Sequence, residues 1–473
     1  MKSECDVKSS AEKVPACGSR HIQVTLMFFL TFVAYTMRYS ISIAIVAMTQ
    51  NSTTTNYNVP TYNWTNKNIV LSSFYWGYVI PQVFMGVAIR RYGTKRILSV
   101  SMTINCLSCI FTPLVVFKFG SYGMMALRAL QGLAQGSIVP ALYNVLAHWV
   151  PPSERSFLGA YGWSGSMLGL ILAMPITGFL CSASWGWPSS FYFNGAIGFV
   201  WLVPWILLAA DTPYNDKFIS EAEKIYITSS FDPKEEIQHK GTPWKAILTS
   251  LPFLGITLSQ FGSNWGDNIS LTEMPFYISK ILKYDIEANG IISALPFVAS
   301  LILGFAYGYV ADAIVNKKLM TLGMCRKMFV AISCLGPAVC LISLSFLPES
   351  ATVLSCLMMI LHQSFSAAYY GGISMNYMDI SPNYCAILVS ITNAICTICD
   401  IVVPLLVQVV ITDETDKGQW QIIFLMAAAM YIFAAIAYIF LGSVETQSWD
   451  YADNLKSSPE KKNSECNFDE NKI

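Results

Sequence analysis

Apolar runs of membrane-spanning length recur from residue 22 to residue 443, with mostly short polar breaks between them. This feature constrains the chain more than any other. A helix needs about 20 apolar residues to cross a ~30 Å hydrocarbon core. Twelve runs reach that size: 22–48, 68–89, 97–117, 122–149, 157–180, 189–210, 247–271, 289–311, 327–347, 351–378, 384–411 and 420–443. Within hydrocarbon only helices and closed barrels satisfy their own backbone groups, and runs this long read as helices. The expected fold class is therefore an all-α membrane protein with twelve transmembrane helices. The first run is too long for a signal-peptide core and lacks a small-residue cleavage site, so it reads as a retained span. The longest polar stretch, 211–246, separates the sixth run from the seventh. The expected organisation is a tail (1–21), a first six-helix half (22–210), a linker (211–246), a second six-helix half (247–443) and a second tail (444–473).

Composition excludes several function classes. Only 12% of residues are charged, about half the usual share in a soluble protein. The net charge is zero, which gives no footprint for nucleic acid; the partners implied are the lipid bilayer and a small anion, with no obligate protein partner. The thirteen cysteines are odd in number and mostly lie inside apolar runs, unlike a secreted disulfide framework. The CxxC pairs Cys106/Cys109 and Cys396/Cys399 sit mid-run and read as helix packing. No P-loop, HExxH or GxSxG occurs, so no enzyme activity, catalytic residue, metal site or cofactor is expected.

Basic residues set the orientation. With the N-terminus cytoplasmic, the inner loops hold fourteen Lys and Arg, the two tails eight and the outer loops five. The sequons at Asn51 and Asn63 fall in the first outer loop and are the expected glycosylation sites. A third, at Asn268, lies too close to the membrane. Neither tail shows a sorting signal, which favours the plasma membrane over a lysosomal or vesicular one.

Two arginines, Arg38 and Arg128, remain inside spans. Arg at mid-span costs about 2.5–3.5 kcal/mol even on a lenient insertion scale. Arg38 lies about 15 Å deep and Arg128 roughly 10 Å deep at 1.5 Å per residue. Neither run contains an acid to pair with. The reading favoured is two cations facing a cavity that takes an anion. Within LRALQGLAQG, Arg128, Gln131 and Gln135 share one helix face, and Gly132 and Gly136 form a GxxxG that permits close helix contact.

These features resemble the major facilitator superfamily. The stretch GVAIRRYGTK is similar to its loop motif at Gly86, Arg91, Gly93 and Lys95, with Arg90 where the motif has Asp; a looser echo recurs at Gly308, Asp312, Lys317 and Lys318. MRYSISIAIVAM, SSFYWGYVIPQ, RALQGLAQG with WVPPSERS, AMPITG, EANGIISALPF, NYMDISPNYCAIL and GQWQIIFLMAAAMYIF resemble its anion:cation symporter branch. That branch holds sodium/phosphate cotransporters, sialin-like acidic-sugar exporters and vesicular glutamate transporters. The resemblance implies two pseudo-symmetric halves, alternating access, and anion binding by Arg38 and Arg128. Proton-coupled members carry an acid at the position of Gln135, and some another at Gln131. A glutamine cannot exchange a proton near neutral pH. Leu71 and Ser263 stand where glutamate-transporting members have His and Arg. Phosphate carriers tolerate Gln at position 135, so sodium-driven uptake of inorganic phosphate or a small organic anion is the leading expectation. Proton- or voltage-driven export of acidic sugars from an acidic organelle is the alternative, and a passive channel or receptor the non-transporter one.

Two acids lie in unexpected runs, Asp267 and Asp400. They are the candidates for the coupling cation, expected to be sodium, with Asn268, Ser270 and Thr397 as further oxygens. Asn264, Trp265 and Asn376 are the remaining substrate-binding candidates. Tyr75, Trp76 and Asn393 are weaker ones, and His148 and His362 read as structural.

Overall fold

The computed structural model describes residues 15, 18–49, 60–64, 66–230, 242–274, 277–278, 281–284, 286–413 and 415–450, and they are helical almost throughout. Asn51 lies outside them, whereas Asn63 is exposed just ahead of the second helix. In chain order the helices are α1 (Ser19–Thr49), α2 (Lys67–Tyr92), α3 (Thr94–Gln135), α4 (Ile138–Trp149), α5 (Arg155–Ser182), α6 (Pro188–Leu208), α7 (Glu221–Ser229), α8 (Trp244–Leu248) and α9 (Leu251–Thr272). They continue with α10 (Ile286–Asn316), α11 (Leu322–Phe346), α12 (Thr352–Ser366), α13 (Ile373–Ile380), α14 (Cys385–Val410) and α15 (Lys417–Leu441). Among the described residues nine helical segments are long and apolar enough to cross a membrane, or ten if bent α2 counts as one. Many large apolar side chains, Phe84, Phe179, Val200 and Phe440 among them, face outward, as a lipid-facing surface requires.

Helix ends and breaks follow local chemistry. Pro81 removes a backbone donor inside α2, and the helix bends by 56° beside it. α3 contains a break at Gly120, whose φ of 57° suits a residue without a Cβ. Two expected single spans are interrupted instead. The run 122–149 breaks at Gly136–Ser137, and the run 351–378 becomes α12, a 3-10 turn (Ala367–Gly371) and α13. The segment 211–246 is more than a connection. Its helix α7 presents Glu223, which accepts from the backbone N–H groups of Ser19 (2.8 Å) and Arg20 (3.1 Å). A carboxylate there satisfies unpaired donors at a helix start.

The helices pack in two groups. α1 lies on α5, α2 on α3, and α3 on α6; α9 and α11 lie on α15, and α10 on α12. The groups meet where α2 and α4 contact α14 and where α5 contacts α10. Gly132 explains one close approach: a Cβ there would sit 2.0 Å from the Phe74 carbonyl oxygen of α2. Backbone cannot yield as a side chain can. Gly132→Ala is expected to destabilise the chain by about 1–3 kcal/mol, read as a lower thermal midpoint; an unchanged midpoint would show that α2 is free to move.

One end of the bundle holds the start of α1, α7, the turns before α5 and α14, and the segment after α15; we call it the tail end. Here Asp379 joins the groups, with Arg326 Nε at 2.8 Å and Arg155 at 3.3 Å. Arg326 also donates to Ser156 Oγ (3.1 Å) and to the Gly371 carbonyl (2.8 Å). Asp312 of α10 accepts from the N–H groups of Ser156 (3.1 Å) and Phe157 (2.8 Å), at the first turn of α5. Arg90, which stands in the acid's place in the loop motif, lies 3.9 Å from the Tyr384 ring centroid. Tyr384 in turn packs against Trp449. Asp450, beyond α15, is buried and accepts from Ser381 and Asn383; burial pushes its carboxyl up from the ordinary value, and those donors pull it back. Arg155 and Arg326, expected in loops, are both buried within helices.

Candidate functional site

α1 places Tyr35, Arg38 and Tyr39 on one face, and all three line a cavity of about 270 Å³ between the two helix groups. Tyr78, Tyr143 and Trp163 complete the wall of the first group; Gln260, Asn264, Asp267, Asn268, Tyr369, Tyr370, Asn393 and Asp400 come from the second. The two walls differ in charge. The first brings a cation and the second brings two carboxylates.

Arg38 is 8% exposed and sits among aromatic rings. Its guanidinium carbon lies 4.8 Å from the Phe74 centroid, 4.9 Å from Tyr75 and Tyr78, and 5.7 Å from Tyr35 and Tyr39. Desolvated cation–π contacts reach about 2 kcal/mol each, so this cage offsets the cost of an arginine at mid-span. It leaves the charge itself uncancelled. Arg128 lies 4.9 Å from the same Phe74 centroid and is 4% exposed. It donates to the Arg38 carbonyl oxygen and to Gln131 Oε1, each at 3.2 Å. Arg128 does not line the cavity. Neither arginine forms a salt bridge among the described residues.

On the facing wall Asp400 Oδ1 accepts from Asn268 Nδ2 at 2.7 Å and from Asn264 Nδ2 at 3.4 Å. Asp267 Oδ1 accepts from Ser366 Oγ at 2.7 Å and from the Tyr431 hydroxyl at 2.8 Å. The floor, towards the tail end, is tied by tyrosines. Tyr377 and Tyr369 donate to Gln260 Oε1 at 2.5 and 3.3 Å, and the Tyr143 hydroxyl meets Ser374 Oγ at 2.8 Å. Across the groups Asn393 donates to the Tyr78 hydroxyl at 3.2 Å.

The structure thus gathers Arg38, Asn264, Asp267, Asn268, Asn393, Thr397 and Asp400 around one space and sets Arg128, Gln131, Gln135, Trp265, Asn376 and Trp76 apart from it. Gln131 donates to Cys109 Sγ (3.3 Å) besides holding Arg128, and Gln135 donates to Asn105 Oδ1 (3.3 Å), so both face the first part of α3, before its break at Gly120. Asn376 is fully buried against the Tyr438 hydroxyl at 2.6 Å. Trp265 packs beside Phe261, and Trp76 is exposed. Cys106, Cys109, Cys396 and Cys399 are buried free thiols. His148 meets the Asn144 carbonyl, and His362 meets Ser270. Sequence reasoning missed Gln260, Tyr143, Tyr369 and Tyr370. Gln260 is an uncharged interruption of an apolar run, and Tyr369-Tyr370 is an aromatic doublet; only the helix register shows that they face inward.

Comparison with known proteins places these observations. Residues 27–404 match the model of the Major Facilitator Superfamily. A Drosophila melanogaster protein named "Putative inorganic phosphate cotransporter" is 32% identical over 96% of this chain and 91% of its own. Human sialin is 33% identical over 94% of this chain and 93% of its own. The solved structure of the proton:xylose symporter XylE superposes with a TM-score of 0.68 at 16% identity, covering 92% of this chain and 98% of XylE. At that identity the likeness speaks for the fold.

Proposed function

This chain belongs to the Major Facilitator Superfamily, and from that premise we propose that it is a secondary active carrier that moves a small organic anion, of the acidic-sugar type, together with a proton. Such carriers work by alternating access, two halves rocking about a midplane site. We take the halves to be 22–210 and 247–443, within the anion:cation symporter branch. Twelve crossings fit the helices. The 56-residue segment Thr94–Trp149 would be about 84 Å long at ~1.5 Å per residue, too long for one crossing, and it breaks at Gly120. Bent α2 adds one crossing. α9 adds another, its hydropathy lowered by the polar residues that face the cavity.

The observation that carries the reading is Arg38, which forms no salt bridge among the described residues, on a cavity wall otherwise rich in hydroxyls and amides. A buried charge without a partner is costly, and an entering carboxylate would pair with it through charge-assisted hydrogen bonds. Arg128, beside Phe74, adds a second positive field. The space corresponds to roughly nine waters at ~30 Å³ each, more than a tetrahedral oxyanion needs. Tyrosine hydroxyls, Gln260 and Asn393 suit a hydroxylated body attached to the carboxylate.

The same geometry favours protons over the expected sodium. A sodium site needs several oxygen lone pairs aimed at one point. Here the groups around Asp267 and Asp400 turn N–H and O–H donors toward them. With the basic loops inside, both tails are cytoplasmic, and proton-driven exit places the chain in the membrane of an acidic compartment in preference to the plasma membrane.

Purified full-length protein in liposomes tests this. Radiolabelled glucuronate is expected to accumulate under an acid-outside gradient without sodium. Sodium-driven phosphate accumulation, with no proton-driven glucuronate uptake, would restore the phosphate reading. Equilibration without accumulation under either gradient would make the chain a passive pathway.

A further inference from the structure

We propose that the two cavity acids have separate roles: Asp267 carries the coupling proton, and Asp400 stays ionised as the fixed counter-charge across the cavity from Arg38. The assignment rests on the proton-coupled reading above and goes beyond it by naming the group that takes the proton.

The hydrogen-bond partners separate the two acids. Asp400 is held by two carboxamide nitrogens, Asn268 Nδ2 and Asn264 Nδ2. Such nitrogens only donate, so they match a carboxylate. Asp400 shares its cavity with Arg38, the cation nearest to hand. The partners of Asp267 are hydroxyls, Ser366 and Tyr431, and both bond the same oxygen, Oδ1. Protonation at Oδ2 leaves both bonds in place, as it would at Asp400, whose bonds also fall on Oδ1; the difference is that hydroxyls can donate or accept and so suit either state, whereas the amide nitrogens can only donate.

Arg38 lines the same cavity as both acids, but among the described residues it acts on Asp400 and no cation acts on Asp267. Facing it are Tyr431 of α15 and, beyond that ring, His362 of α12 with centroids 5.6 Å apart. Cys334 of α11 and Tyr370 of the 3-10 turn lie within electrostatic reach, and Cys396 and Asp400 of α14 share the cavity wall. No Lys or Arg is among them. A carboxylate buried without a counter-charge is costly, and binding a proton removes the cost. Gly266 makes this arrangement possible. A Cβ there would lie 2.1 Å from Tyr431 Cε2, so only glycine lets the ring lie against α9 and bring its hydroxyl to the neighbouring Asp267.

Charge balance then couples the two ligands. Arg38 and Arg128 cancel Asp267 and Asp400 when all four are ionised. An entering monoanion leaves one net negative charge in a poorly solvated site, and one proton on Asp267 restores neutrality. Anion and proton therefore favour each other's binding, and linkage makes the effect reciprocal. The step moves one proton onto Asp267 Oδ2 on one side and off it on the other, with no other bond changed.

Calorimetric titration of glucuronate into the detergent-solubilised full chain, in buffers of different ionisation enthalpy, counts the protons. Glucuronate stays ionised from about pH 5 to 8. The wild type is expected to take up as much as about one proton per anion. Asp267→Asn should bind glucuronate with no proton uptake and with pH-independent affinity, whereas Asp400→Asn should keep the uptake. Tyr431→Phe removes one donor from the carboxylate and should move the midpoint of uptake to higher pH; it keeps the test decisive if Asp267→Asn does not fold. Proton uptake retained in Asp267→Asn, or an unmoved midpoint in Tyr431→Phe, would overturn the assignment. Wild-type binding without proton uptake would overturn the proton-coupled reading, and no wild-type binding would overturn the acidic-sugar reading; either removes the premise.

Discussion

Arg38→Ala is expected to abolish anion transport while leaving the fold at least as stable as the wild type. The two halves of this expectation come from one observation, a buried guanidinium caged by aromatic rings with no salt bridge among the described residues. Hydrogen bonds to a charged group contribute about 1.5–3 kcal/mol each. Losing a bidentate pair would weaken anion binding by roughly 3–6 kcal/mol, about 10² to 10⁴-fold. Removing the cation also removes a desolvated charge, and Asp400, left without its counter-charge, can neutralise by binding a proton, so the thermal midpoint should hold or rise. That combination marks a residue kept for function at the expense of stability. Uptake at subsaturating glucuronate and thermal unfolding, measured on the same preparation, check both halves. Uptake within tenfold of wild type would place the anion elsewhere in the cavity.

Arg38→Lys refines the expectation. Lysine keeps the charge and loses the planar fork, so about one charge-assisted hydrogen bond should be lost and transport should fall roughly ten- to a hundredfold. Arg128 differs because it does not line the cavity and its two terminal nitrogens are already engaged by Gln131 and the Arg38 carbonyl. Its contribution is through field and through the position of α1.

The amino-acid sequence makes the helices legible and much of the site illegible, for physical reasons visible at particular residues. Hydrocarbon thickness sets a run length, so nearly every expected span has its helix, and the break at Gly120 falls between the expected runs 97–117 and 122–149; the breaks at Gly136 and Gly371 are less visible because a mid-run glycine serves packing as readily as interruption. Arg38 stood out because an arginine at mid-span is costly in any helix. Gln131 and Gln135 share the face of Arg128 as expected, but their amides meet the first part of α3, before Gly120, and not the cavity. Periodicity tells which residues share a face and is silent on what the face meets. Arg155, Arg326 and Asp379 went unnoticed for the opposite reason. Near helix ends charges are cheap, so nothing in composition separates a solvated loop arginine from one sealed between two helix groups.

That sealed group supports the second large expectation: Asp379→Ala should open the tail end. Asp379 is the only carboxylate in salt-bridge contact with Arg155 and Arg326 among the described residues, and all three are buried. Removing one member of a buried ionic group costs about 3–5 kcal/mol, because it leaves charge uncompensated; here it leaves two like charges side by side. Separation of the helix groups at this end would hydrate both arginines and relieve that cost. A bias of 3–5 kcal/mol is a shift of roughly 10² to 10³-fold or more between closed and open populations. Cys385, buried at the first turn of α14 beside this junction, is a native reporter. A membrane-impermeant maleimide added to the tail side should label it slowly in the wild type and much faster in Asp379→Ala, by peptide mapping. Replacing all three residues with apolar side chains of similar size (Arg155→Met, Asp379→Leu, Arg326→Met) should return labelling to the slow rate, since a buried ionic group and an apolar one of equal volume are often equally stable. Fast labelling in the triple variant would show that the polar contacts of Arg326 with Ser156 and Gly371, and not the ionic group, hold the helix groups together at this end.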